Sequence, residues 1–160
     1  MSFFAISVTL FIAMVLEVID LSKTFPLEIG FLRPEWVLMT LIYWMIALPQ
    51  RVGVMMSWGV GILMDVLLGS GIGHHSLSFL LISYISLKFY QRLRMFSVVQ
   101  QAIVVFGFLF LHVMISFSVE YFFYSVTWTM WNLMPLLTSA LIWPLVFLLL
   151  RALRRSLQLA

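Results

Sequence analysis

Three carboxylates, Glu17, Asp65 and Glu120, fall inside long apolar runs of this chain, where an ionised side chain costs roughly 2.5–3.5 kcal/mol to place in lipid. Each needs a partner or a route to water. Glu17 and Glu120 lie near the ends of their runs and can extend along a helix to the interface. Asp65 is deeper. His112, Ser116 and Glu120 recur every four residues and share one helix face, and His74-His75 supplies two more rings. A metal centre needs more ligands at compatible spacing, and adjacent histidines in a short polar loop are ordinarily solvated. No serine sits on a recognisable nucleophile turn, and no glycine loop carries the lysine of a phosphate cradle. The chain has no cysteine, which removes thiolate sites and disulfides. No catalytic, metal or cofactor site is expected.

The spacing around Asp65 carries more information. Gly53, Ser57, Gly61, Asp65, Gly69 and Gly73 follow one another in fours, a ridge of small residues that permits close helix approach. Four residues overshoot a helical turn by about 40°, so the ridge winds and faces two neighbours in succession. It is expected to be packing within this chain or docking for a partner helix. Leucine at Gly61 should disrupt it and alanine should be mild. Arg33, at the start of the next helix back, matches Asp65 in depth and is expected to pair with it as a bidentate donor. The alternative gives Asp65 to hydroxyls on the fourth or fifth helix, such as Ser83 or Ser116, and leaves Arg33 to lipid headgroups.

The elements that hold these residues are membrane helices. Hydrophobic residues make up 64% of the chain and charged ones 9%, with a mean hydropathy of +1.13, more apolar surface than a soluble core of this size can bury. The apolar runs are continuous rather than alternating, which favours helices over a barrel. About six transmembrane helices fit a ruler of roughly 20 residues per crossing: Phe3–Asp20, Pro34–Leu48, Val52–Gly69, Ser76–Tyr90, Val98–Phe123 and Leu133–Leu150. Pro34 should open the second, which is short. The first lacks a basic leader and a small-residue cleavage site, so it reads as a retained helix. Gly69 to Gly73 should break the chain between the third and fourth. Trp128 and Trp131 suit an interfacial belt, and Pro144 should kink the sixth helix near Ala140. The tail from Arg151 to Gln158 suits a short amphipathic continuation on anionic lipid. The whole chain, 1–160, reads as one polytopic domain.

Seven of the nine Lys and Arg residues, Arg51, Lys88, Arg92, Arg94, Arg151, Arg154 and Arg155, fall on one side of a six-span arrangement, leaving Lys23 and Arg33 on the other. By the positive-inside rule both termini are cytoplasmic. No dense basic stripe suggests nucleic acid.

Several segments together resemble the MreD family of rod shape-determining proteins. They are Phe31-Leu32-Arg33-Pro34-Glu35-Trp36-Val37-Leu38, Tyr43-Trp44, Ala47-Leu48-Pro49 with Arg51-Val52, the ridge through Asp65 to Gly73, and Trp143-Pro144 ahead of Arg151. Glu35 is longer than the Asn or Asp usual in that family. The resemblance implies a non-catalytic scaffold in the bacterial inner membrane, part of the elongation complex that directs side-wall peptidoglycan synthesis. It implies MreC as partner, with MreB, RodA and RodA's transpeptidase partner in the same assembly. It also implies a fold similar to the substrate-binding subunits of energy-coupling-factor transporters, so a vitamin-type transport subunit is the alternative. The candidate contact residues are Arg33, Pro34, Gly53, Ser57, Gly61, Asp65, Gly69, Gly73 and Glu120, with a cytoplasmic basic tail of Arg151, Arg154 and Arg155.

Overall fold

A computed structural model describes residues 2–19, 33–71, 73–123 and 133–157. They form six helices and no strand: α1 (Ser2–Val18), α2 (Trp36–Ala47), α3 (Val54–Leu68), α4 (Ser76–Met95), α5 (Val98–Phe123) and α6 (Met134–Ser156). Trp128 and Trp131 lie outside the described residues, as do Lys23 and the rest of the α1–α2 connection before Arg33.

Two of these helices, α5 and α6, are long and apolar enough on their own to cross a membrane; α1, α2 and α3 are shorter apolar helices. The shortest, α2, rises only about 18 Å, yet Val37 to Ala47 are all buried. It sits at the centre, packed on α1, α4, α5 and α6. Its uniform apolarity answers to neighbours on every side rather than to lipid. Tyr43 and Trp44 anchor it, Trp44 through an Nε1–H donated to Thr9 Oγ1 at 2.9 Å and Tyr43 edge-on to Phe147.

Several expected boundaries move. Pro34 precedes α2 rather than opening it: the helix begins at Trp36 with Glu35 as its N-cap. The fourth helix runs five residues past Tyr90 and carries Arg92 and Arg94 in its last turn, so the basic segment expected as a loop is helical. In α6 the backbone continues through Pro144 and takes Arg151, Arg154 and Arg155 into the same helix, so the expected continuation is the last part of α6 itself. Despite the short connection at Pro49–Arg51, α2 and α3 are not principal neighbours. Instead α3 packs on α4 and α1.

Gly69 closes α3 in the left-handed conformation at φ +65°, and Gly73 turns the chain into α4 at φ +112°. A side chain at either position would strain the backbone. Between them the chain reverses tightly enough to bring the start of α4 back over α3.

Candidate functional site

That reversal captures Asp65. Its Oδ1 accepts from the His75 backbone N–H at 2.7 Å, from His75 Nδ1–H at 3.0 Å and from Ser70 Oγ–H at 3.2 Å. Its Oδ2 accepts from the Ser76 hydroxyl at 2.8 Å, the Gly73 N–H at 3.0 Å and the Ser76 N–H at 3.2 Å. Gly73, His75 and Ser76 lead into α4, whose N-cap residue His75 makes no capping bond of its own. Asp65 therefore caps the next helix from the last turns of the preceding one, placing its negative charge at the positive end of the α4 dipole. Ser57, lower on the same ridge, is buried, and its Oγ–H turns back to the Gly53 carbonyl at 3.3 Å.

This arrangement replaces the expected Asp65–Arg33 pair. Six donors already fill the carboxylate. The Arg33 guanidinium donates instead to the backbone carbonyls of Glu17 and Ile19, the latter at 3.1 Å, satisfying the open end of α1. The alternative is met in part: Asp65 bonds a hydroxyl on the fourth helix, that of Ser76, together with Ser70 in the turn, rather than Ser83 or Ser116. Ser83 bonds its own turn at the Leu80 carbonyl, and Ser116 reaches the His74 carbonyl at 3.1 Å.

Glu17 repeats the device one hairpin earlier. It is buried rather than extended to the interface, and its Oε2 accepts from the Val37 N–H at 2.8 Å, in the first turn of α2. The N-cap Glu35 donates its backbone N–H to Ser139 Oγ at 2.9 Å, which ties α2 to α6. Glu35 Oε2 is buried without a hydrogen-bond partner.

His112 links the two capped helix starts. Its Nδ1 lies 2.7 Å from Ser78 Oγ and its Nε2 3.8 Å from Glu35 Oε2. Serine, histidine and glutamate are the residue types of a nucleophilic triad, but their geometry is different. The Ser78 hydroxyl is also hydrogen-bonded to the His75 carbonyl at 2.8 Å and to the His74 carbonyl at 3.1 Å, which hold it against the start of its own helix, and Ser78 is fully buried. The His74 ring lies against His75, centres 4.5 Å apart and planes tilted by 52°, and its Nδ1 lies 3.3 Å from Glu120 Oε1 without hydrogen-bond geometry. Burial, with the neighbouring His75 and His112 rings, pushes His74 down to about 4; it is neutral at pH 7, and its contact with Glu120 is not an ion pair. Among the described residues no three His, Asp or Glu side chains converge in a metal-binding set.

The glycines of the ridge do different things. At Gly61 an added Cβ would stand 2.5 Å from Ser76 Cα and 2.9 Å from Ser76 N, both backbone atoms. The expectation that alanine is mild there is therefore overturned, because the start of α4 rests directly on Gly61. At Gly53 nothing lies within 4 Å of an added Cβ, and at Gly73 the nearest atom is a Val119 methyl at 3.8 Å.

Sequence reasoning singled out Asp65 but gave it a distant partner, and it left Glu35, Ser76, Ser78 and Ser139 without roles. One signal was available: a carboxylate eight to eleven residues ahead of Gly73, His75 and Ser76 can fold back as a cap when glycines such as Gly69 and Gly73 let the chain turn.

A family model described as rod shape-determining protein MreD matches residues 1–153. The rod shape-determining protein MreD of Haemophilus influenzae is 35% identical over 136 residues, which cover 84% of this chain and 84% of that protein. No solved structure matches the chain.

Proposed function

The chain belongs to the MreD family of rod shape-determining proteins, and from that premise we propose that it is a non-catalytic scaffold of the wall-elongation machinery. It holds rod shape from within the inner membrane. All six helices cross, the second as a short central element, and both termini face the cytoplasm as the bias of Lys and Arg requires. Its principal partner is MreC, with MreB, RodA and RodA's transpeptidase partner in the same complex, and the output is side-wall peptidoglycan synthesis.

One observation carries the non-catalytic part of this reading. The deep ionisable groups hold helix ends: Asp65 caps α4, Glu17 caps α2 and Arg33 closes α1. None presents a free nucleophile or base to an open cavity, so the polar groups make the bundle rigid and fix its outline for a partner.

The test is made in rod-shaped cells depleted of their own MreD. Expression of this chain with its cognate MreC should restore rods, and MreC should co-purify with it in mild detergent. Rods restored without any association with MreC would overturn the scaffold reading, and a bound vitamin in the purified protein would favour the transport reading instead.

A further inference from the structure

At the far end of α4 from Asp65, some 30 Å along a 20-residue helix, a cavity of about 450 Å³ opens between α2, the α4–α5 turn and α6. Arg94, Arg151 and Arg154 line it. No carboxylate among the described residues lies within ion-pair distance of any of the three. Arg151 is held over the Phe147 ring at 5.9 Å, and Phe147 packs edge-on against Tyr43, so that guanidinium has a fixed seat.

Two buried polar atoms among the lining residues lack partners. Tyr43, only 2% exposed, has a hydroxyl with no hydrogen bond. Gln101, 3% exposed, donates its Nε2 to the carbonyls of Leu93 and Phe96, which fixes the amide orientation and leaves Oε1 unpaired. A buried oxygen left without a partner is costly, so both atoms call for something to bond. Three guanidinium groups and a phenolic O–H suit a phosphate. A lone acceptor beside them suits a hydroxyl on the same ligand. The remaining wall is apolar, with Ile46, Val98 and Phe147, and the cavity sits where the two longest apolar helices, α5 and α6, approach each other at one end.

We infer that this cavity binds the phosphodiester headgroup of an anionic phospholipid carrying a hydroxyl, such as phosphatidylglycerol. The arginines and Tyr43 hold the phosphate, and Gln101 Oε1 accepts from the headgroup hydroxyl. A free phosphate shares the first half of that chemistry, but it leaves Gln101 and the apolar wall unused. The inference depends on the membrane setting and not on the scaffold role, so it stands or falls separately from binding to MreC.

The test is binding of short-chain phosphatidylglycerol to the full chain in neutral detergent, against phosphatidylcholine of the same chain length and against inorganic phosphate. Phosphatidylglycerol should bind at least tenfold more tightly than either competitor. The double variant Arg151→Gln/Arg154→Gln should lose about tenfold or more in affinity. Tyr43→Phe removes a hydroxyl that has no partner in the protein, so it should leave thermal stability unchanged or raised while weakening phosphatidylglycerol several-fold. Equal affinity for both lipids, or phosphatidylglycerol affinity unchanged in Tyr43→Phe and in the folded double variant, would overturn the site. Inorganic phosphate binding as tightly as the lipid would overturn the lipid as its ligand.

Discussion

The two ends of α4 treat polarity in opposite ways. At its start a single carboxylate is met by six donors drawn from backbone and side chains. At its end three guanidinium groups line a cavity in which a buried phenol and a buried amide oxygen have nothing to bond. A saturated site is finished: it holds the fold, and any change to it is felt as stability. An unsatisfied one is built for something that arrives from outside, and changes there should be felt in binding with little effect on the lipid-free fold.

The sharpest way to break this contrast is at Asp65. Asp65→Ala leaves several buried donors at the start of α4 without an acceptor and uncaps the helix. A loss of about 3–5 kcal/mol is expected from several unpaired buried donors and a lost cap together, read as a large fall in unfolding temperature in detergent. Arg33→Ala should show no strong energetic coupling to it in a double-mutant cycle, because the two residues serve different helix ends. A coupling above about 1 kcal/mol would restore the direct pair.

Smaller effects separate positions on one helix. Gly61→Ala must push the Ser76 backbone away from 2.5 Å and should cost about 1–3 kcal/mol, as overpacking does. Gly59→Ala, where an added Cβ meets nothing within 4 Å, should be neutral or stabilising by up to about 1 kcal/mol from helix propensity alone. Equal effects at the two glycines would show that the ridge is not seated on α4.

Much of the fold was legible because its signals are local. The apolar run that became α5 has the same limits in sequence and structure, and Gly69 and Gly73 mark the break where their positive φ angles fall. What was not legible follows from the same chemistry. A uniformly apolar helix looks the same whether it faces lipid or protein, so nothing in Trp36–Ala47 revealed that α2 is the buried hub. The Arg33–Asp65 expectation rested on matching depth and a short α2–α3 connection, and depth does not say which helix is the neighbour. Asp65 was identifiable as a residue that needed partners. Half of those partners were backbone amides, which carry no sequence signature. At the arginine end the bases were legible as a charge bias, whereas the cavity joining Arg94 to Arg151 depends on how the ends of α4 and α6 are set around α2 and the α4–α5 turn.

The claim that joins these observations is that the deep carboxylate acts through the fold rather than through chemistry of its own. Its most direct test sets unfolding temperature against rod-shape rescue for Asp65→Asn, Asp65→Ala, Gly61→Ala and Gly59→Ala at matched membrane abundance. All four should fall on a single curve, with shape lost only as stability is lost, whichever residue is changed. An Asp65 variant that unfolds at the wild-type temperature, reaches the membrane in normal amount and still fails to make rods would contradict it.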